Sequence, residues 1–215
     1  MKTEKLLYKI LILFLAVVFI TGCKKDNYEA PKSQLTGRVI YQGTAIGVRS
    51  NAPPQLYLYQ RGYAFFTPIP IYVNQEGSYS ALLFDGNYKL TRISNNGPWV
   101  NQTDSIDVRV SGNTVVDVPV TPYSLISNAT YQRSGTSISS AITVQKVNTT
   151  SQIEAVRLYL SRTILLDQNN AEATTNIAGS TVTPGQPVTA TITIPASLTN
   201  SDAVYVRVGV KTVGV

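Results

Sequence analysis

Histidine is absent from this 215-residue sequence, and cysteine, tryptophan and methionine each occur once. Without histidine, the chain lacks the general base of a Ser-His-Asp triad and the commonest protein ligand of metal ions. A single cysteine cannot form an intrachain disulfide, so the hydrophobic core must hold the fold together. We therefore expect no histidine-dependent catalysis, no metal and no cofactor.

Acidic residues are also scarce. Nine Asp and Glu residues lie between Leu35 and the C-terminus, and their spacing suggests no pair. Asp104 and Asp107 stand three apart in a predicted strand, so we expect their side chains on opposite faces. A glycosidase needs two carboxylates about 5–10 Å apart at one site. The sequence therefore argues against this reaction, and we expect the protein not to be an enzyme.

One loop, residues 167–172, is rich in side-chain oxygen atoms (Asp-Gln-Asn-Asn-Ala-Glu). It lacks the central glycine and the regular ligand spacing of an EF-hand calcium site. We interpret it as a solvent-exposed hairpin loop.

Positive charge exceeds negative charge only modestly, with 18 Lys and Arg against 12 Asp and Glu. These cations form no cluster beyond Lys24-Lys25. Domains that bind nucleic acids usually show a basic stripe or patch. We therefore expect no nucleic-acid partner.

The N-terminus has the three parts of a secretory signal. Lys2, Lys5 and Lys9 precede an uninterrupted apolar run over residues 10–20, and the small residues Thr21 and Gly22 follow it. The run is shorter than the roughly twenty residues that a transmembrane helix needs. We predict that residues 1–22 are a cleaved signal peptide.

The segment Ile20-Thr21-Gly22-Cys23 resembles the bacterial lipobox. That resemblance implies a diacylglycerol on the Cys23 sulfur, cleavage before Cys23, and membrane lipid as a partner. The alternative is an ordinary signal peptide with an accidental cysteine. We favour lipidation because the only cysteine stands at the cleavage point. Residues 23–34 then form a lipidated tether that leads to the first domain.

Short alternating segments separated by turn residues recur after the tether and predict an all-β protein. In the strand predicted at residues 55–60, Leu56 and Leu58 share one face while Tyr57 and Tyr59 share the other. The dipeptide Asp85-Gly86 between apolar runs is a strong turn signal. These segments predict a β-sandwich over residues 35–122.

The segment Thr121-Pro122-Tyr123 reads as a domain boundary, and further strands at roughly ten-residue spacing predict a second sandwich over residues 123–215. The last strong pattern is residues 203–210, with only five residues after it. We predict that this domain lacks its last strand. The alternative is that residues 213–215 continue the final strand and a loop covers its edge.

Several segments resemble known families. Gly37-x-Val39, Gly77-x-Tyr79 and residues 83–90 resemble the carboxypeptidase-regulatory or transthyretin-like sandwich, and residues 205–208 resemble, weakly, an Ig-like or fibronectin-III-like strand. Residues 52–54, 81–86, 96–100 and 116–122 are similar to a Bacteroidetes lipoprotein family of unknown function. That family is often encoded beside starch-utilisation-type glycan uptake systems. The resemblance implies an outer-membrane location at the cell surface and transporter components as partners.

Aromatic residues are the strongest candidates for ligand binding. Flat rings pack against the apolar face of a sugar, and tyrosine adds a hydroxyl that orients it. The candidate glycan-binding residues are Tyr57, Tyr59, Tyr63, Tyr72 and Trp99. The alternative for the tyrosines is that β-propensity alone places them on strands. The alternative for Trp99 is a plug that closes one end of the sandwich.

These observations predict a non-enzymatic surface lipoprotein that is an accessory or glycan-binding component of a nutrient-uptake system, with polysaccharide as its ligand. The alternative is a structural adaptor that contacts a membrane protein partner and binds no sugar. An exposed coplanar row of two or three aromatic rings favours the first hypothesis, and a large flat apolar patch favours the second.

Overall fold

The computed structural model describes residues 29–49, 53–62 and 66–215, where alternating apolar and polar residues form strands that pair into four sheets. The predicted all-β class is confirmed. Helical structure in this part of the chain is limited to one α-helical turn at Ala196–Thr199 and a 3-10 turn at Gly179–Thr181. None of the helices in the described ranges is long or apolar enough to span a membrane. Two predicted site residues, Cys23 and Tyr63, lie outside these ranges.

The first sandwich consists of the strands β1 (Ser33–Tyr41), β2 (Thr44–Ala45), β3 (Leu56–Gln60), β4 (Ile69–Ile71), β5 (Ser78–Leu83), β6 (Gly86–Arg92), β7 (Ser105–Val110), β8 (Asn113–Val115) and β9 (Val118–Pro119). These strands form two sheets, and β1 is central to one of them. Strands β5 and β2 pair antiparallel with β1, whereas β8 and β9 pair parallel with it. The second sheet has the order β4-β3-β6-β7.

The alternation in each strand places one face of each sheet in a shared core. Leu35 and Val39 of β1 pack in the same fully buried cluster as Leu56 and Leu58 of β3 and Leu90 of β6. Burying each such side chain stabilises the fold by roughly 1.5–3 kcal/mol. The side chains between them point away from the core, to opposite outer surfaces of the sandwich.

The second sandwich consists of the strands β10 (Ser124–Ser134), β11 (Ser137–Lys146), β12 (Ile153–Ser161), β13 (Ala173–Ala178), β14 (Pro187–Thr193) and β15 (Tyr205–Thr212). They form two three-stranded sheets, in the orders β10-β11-β14 and β13-β12-β15. The buried core contains Ile142 and Val144 from one sheet and Val156, Leu158 and Leu160 from the other. The two predicted tandem sandwiches are therefore confirmed.

Polar contacts join the two sandwiches. The Arg207 guanidinium on β15 donates to the carbonyl oxygens of Val48 and Gln75 in the first sandwich and of Leu166 in the second. Tyr123, at the connection, donates its backbone N–H to the Pro98 carbonyl at 3.0 Å. The two sandwiches are thus tied by hydrogen bonds as well as by the chain itself.

Candidate functional site

The predicted aromatic residues of β3 lie on the outer surface of the β4-β3-β6-β7 sheet. Tyr57 and Tyr59 alternate with the buried residues Leu56 and Leu58 and are half-buried. The ring of Phe66 stacks on Tyr59, with centroids 5.4 Å apart and planes at 19°, and Tyr57 meets Tyr59 edge-on at 6.1 Å. Phe66 is 60% exposed. We refer to Tyr57, Tyr59 and Phe66 as the aromatic face.

Polar residues of the same sheet lie beside the aromatic face. Antiparallel pairing places Lys89 next to Tyr59, and Asp107 next to Lys89. The Lys89 ammonium lies 3.0 Å from the Asp107 carboxylate and 3.2 Å from the Ser105 hydroxyl. The hydrogen bond from Lys89 lowers the pKa of Asp107, so this carboxyl is charged at neutral pH. The surface thus combines rings for an apolar sugar face with donors and acceptors for hydroxyls.

Tyr72 does not belong to the aromatic face. The chain leaves β4 and crosses to the other sheet, where Val73 forms a bridge with Tyr79 of β5. Tyr72 is 60% exposed there and lines a cleft of about 700 Å³ with Arg38, Asp117 and neighbouring polar residues. Tyr57, Tyr59 and Tyr72 were predicted to belong to one site. The structure instead divides them between two opposite surfaces of the first sandwich.

Trp99 is part of the hydrophobic core, with 3% of its surface exposed. It forms an isolated bridge with Pro122, next to the connection between the sandwiches. Gly97 sits directly over the indole, where an added Cβ would lie 2.4 Å from the ring, and its φ of +141° favours glycine. Because its ring is buried, Trp99 acts as a plug and offers no surface to a sugar. It is therefore removed from the candidate glycan-binding residues.

The described residues contain no group of three or more Cys, Asp or Glu that could hold a metal ion. In the 167–172 loop, Asp167 is 3% exposed and accepts the Asn169 backbone N–H at 2.8 Å. The expectation of a solvent-exposed loop is therefore wrong for Asp167, since the loop begins inside the structure next to Arg207. Glu172, at its other end, pairs with Arg162 at 2.7 Å, and hydrogen bonding from that guanidinium lowers the pKa of Glu172 to about 2.

Two family models match the chain in succession. The N-terminal domain of a protein of unknown function, DUF3823, matches residues 33–121, and the C-terminal domain of unknown function of the same family matches residues 124–215. Together these matches include both sandwiches. The chain belongs to the DUF3823 family. The predicted membership of a family of unknown function is thereby confirmed.

Crystal structures of other DUF3823 proteins resemble this one closely. A DUF3823 family protein from Bacteroides ovatus is 43% identical, with a TM-score of 0.79 and coverage of 84% of this chain and 91% of that chain. One from Parabacteroides merdae is 38% identical, with a TM-score of 0.78 and coverage of 86% and 92%. A "putative carbohydrate binding protein" from Bacteroides uniformis shares the fold at 16% identity, with a TM-score of 0.68 and coverage of 85% and 90%. No curated protein matches this DUF3823 chain.

Two residues of the cleft were not predicted from the sequence. Arg38 and Asp117 are far apart in the sequence and meet because β1 pairs parallel with β8 and β9. The one local signal was Gly37 inside a strand pattern, since glycine at such a position marks a close backbone approach. In this DUF3823 protein the approaching backbone is that of Val116.

Proposed function

We propose that this DUF3823 protein is a non-enzymatic, glycan-binding accessory of an outer-membrane nutrient-uptake system. The observation that carries the proposal is the exposed Phe66 ring stacked on Tyr59. Covering a large apolar ring with a ligand is favourable, by roughly 1.5–3 kcal/mol for full burial, and aromatic side chains often contribute most of a binding free energy.

The neighbouring polar groups support a sugar as the ligand. The Lys89–Asp107 pair supplies both donors and acceptors within the same sheet face as the rings. A pyranose presents an apolar C–H face and a rim of hydroxyls, which matches this combination. The Bacteroides uniformis protein of the same fold carries a carbohydrate-binding description, which agrees with this ligand class.

The proposed location follows from the N-terminal sequence. A diacylglycerol on Cys23 anchors the protein in the outer membrane, and an acylated amine adds a further chain. Each buried methylene contributes about 0.8 kcal/mol, so two or three chains anchor stably where one does not. Residues 23–34 connect this anchor to the first sandwich at the cell surface.

Affinity electrophoresis in gels that contain a panel of polysaccharides tests the proposal. At least one polysaccharide should retard the wild-type protein, and Tyr59→Ala and Phe66→Ala should each weaken retention by about 1–3 kcal/mol. Tyr205→Ala, which truncates an exposed tyrosine of the second sandwich, is the matched control and should bind as the wild type does. Unchanged retention in both aromatic-face variants, with all melting temperatures equal, would contradict the proposal.

A specific observation also favours the adaptor hypothesis. Ile164 and Leu165 are adjacent in the sequence and 60% and 58% exposed. Their loop is held in place, because the Ile164 carbonyl accepts a hydrogen bond from the Gln75 side chain at 2.9 Å. An ordered loop that presents two aliphatic side chains is suited to a protein partner. If the double variant Ile164→Ser/Leu165→Ser loses crosslinks to a membrane protein while glycan retention is absent throughout, the adaptor hypothesis replaces the glycan-binding one.

A further inference from the structure

The cleft that Tyr72 lines has a polar floor. Thr36 and Arg38 are successive outward residues of β1, and they pair with Ser80 and Ser78 of β5. All four side chains carry hydrogen-bonding groups. The exposed ring of Tyr72 lies beside these four side chains, so an apolar wall adjoins a floor that is rich in hydroxyl groups.

A fixed ion pair lies at one side of this floor. One Asp117 carboxylate oxygen accepts the Arg38 backbone N–H at 2.9 Å, and the other accepts the Arg38 guanidinium at 3.0 Å. The Arg38 side chain is 50% exposed and the Asp117 side chain is 31% exposed. A carboxylate offers about four lone-pair sites and a guanidinium five N–H donors, so both groups retain bonding capacity. The pair can donate to one ligand oxygen and accept from a neighbouring hydroxyl.

The backbone holds Asp117 in this position. Gly37 has no side chain, which lets the Val116 carbonyl come so close that a Cβ at residue 37 would lie 1.8 Å from its oxygen. The Tyr79 hydroxyl donates to the same oxygen at 2.6 Å. The ladder between β1 and β8 is interrupted here and resumes in the same register at Val118. Asp117 thus takes the place of a ladder partner for Arg38, and its carboxylate is oriented before any ligand arrives.

We propose that this cleft is a second ligand site, which binds a neutral saccharide with its C–H face on Tyr72 and two adjacent hydroxyls on the Arg38–Asp117 pair. A vicinal diol matches a donor and an acceptor held side by side, and it is the repeated feature of pyranoses. The pair has no net charge, so an acidic sugar gains at Arg38 and loses at Asp117. A volume of about 700 Å³ lies in the range of small-molecule sites, about 300–1,000 Å³.

This inference rests on the proposed function only in taking saccharides as the ligand class. The cleft and the aromatic face are on opposite outer surfaces of the first sandwich, since the core residues of β1 and β3 pack between them. A short oligosaccharide cannot contact both. Binding in the cleft therefore requires neither Tyr59 nor Phe66, and the two sites can be tested separately.

Isothermal titration with hexasaccharides tests the cleft, using an α-glucan, a β-glucan, a mannan and a galactan as neutral probes and a hexagalacturonate as the acidic one. The protein used is residues 24–215, the mature sequence without the cysteine that is predicted to carry lipid. At least one neutral hexasaccharide should bind, and Tyr72→Ala and Asp117→Asn should each weaken that binding by about tenfold or more. The hexagalacturonate should bind more weakly than the best neutral probe.

Control variants separate the cleft from the aromatic face. Tyr205→Ala, outside both proposed sites, should leave hexasaccharide binding unchanged. In a Phe66→Ala background, which removes the aromatic face, Tyr72→Ala should still weaken the remaining binding by about tenfold or more. The cleft proposal is overturned if no neutral hexasaccharide binds, if the acidic probe binds best, or if Tyr72→Ala and Asp117→Asn both bind as the wild type does. Loss of polysaccharide retention in Phe66→Ala together with unchanged binding in the cleft variants would leave the proposed function standing and remove the cleft. Because Asp117→Asn also alters a strand contact, its melting temperature is compared with that of Tyr72→Ala, whose ring is exposed.

Discussion

The Arg207 guanidinium of the second sandwich donates a hydrogen bond of 2.6 Å to the Val48 carbonyl of the first. The same group donates to the Gln75 carbonyl at 3.0 Å and to the Leu166 carbonyl at 2.9 Å. Burial lowers the pKa of Arg207, although the carboxylates of Glu76 and Asp167 act in the opposite direction. One side chain therefore satisfies backbone acceptors from both sandwiches and couples their stability.

Arg207→Met keeps much of the side-chain length and removes the donors. The accepting carbonyls lose their partner, and an unsatisfied buried polar group costs about 1–3 kcal/mol. We expect the free energy of unfolding to fall by that amount in urea titrations. We also expect faster proteolysis at the Thr121–Tyr123 connection. Arg109→Met, at an exposed arginine of β7, is the control, and equal stability of the two variants would contradict the coupling.

Gly37→Ala tests the close approach that shapes the cleft. The new Cβ would meet the Val116 carbonyl oxygen at 1.8 Å and the Tyr79 hydroxyl at 2.9 Å, so strand backbone must move. We expect a loss of about 3 kcal/mol or more in the free energy of unfolding, measured by thermal or urea denaturation. Gly86→Ala is the matched control, because its nearest neighbour at 3.3 Å is the flexible end of Gln60. Similar losses at both positions would show that the approach of Val116 is not tight.

The hydroxyl of Tyr79 should make stability depend on alkaline pH. Burial, and then the charge of Asp117, raise the pKa of Tyr79 far above its ordinary value near 10. A raised pKa means that this contribution to stability is complete below about pH 10 and is lost as the pH rises further. Tyr79→Phe should therefore be less stable than the wild type at about pH 8, by about 1 kcal/mol for the lost hydrogen bond. The difference should shrink at about pH 11, and a difference that stays constant in urea titrations would refute this assignment.

The local pattern was sufficient to predict the aromatic face in part. Successive side chains of a strand alternate between faces, so Leu56 and Leu58 had to be buried together and Tyr57 and Tyr59 had to point outward. The alternation of side chains along a strand does not predict which sheet a later residue joins. Tyr72 was therefore grouped with the β3 tyrosines, whereas the chain crosses to the other sheet just before Val73.

Contacts between distant strands could not be predicted. The Arg38–Asp117 pair requires the parallel register of β1 with β8 and β9, which no local pattern in the sequence records. Arg207 belongs to the outward face of β15 by alternation, and that face would ordinarily be solvent-exposed. It is partly buried because the first sandwich packs there, which is a property of the domain arrangement.

Cys23 is predicted to be the first residue of the mature protein and to carry acyl chains. Mass spectrometry of the native protein should show an N-terminal peptide that begins at Cys23 with added acyl mass. Cys23→Ala should move the protein from the membrane fraction to the aqueous fraction, because the chain then lacks its anchor. An unmodified Cys23, or a Cys23→Ala variant that still sediments with membranes, would refute the anchor.

Backbone-amide NMR titration with a retained polysaccharide fragment is the sharpest test of glycan binding by the aromatic face. We expect the largest shifts on Tyr57, Tyr59, Phe66 and Lys89, and these shifts should disappear in Phe66→Ala while the rest of the spectrum is preserved. Shifts confined to the second sandwich, or a spectrum that no polysaccharide in the panel perturbs, would contradict it.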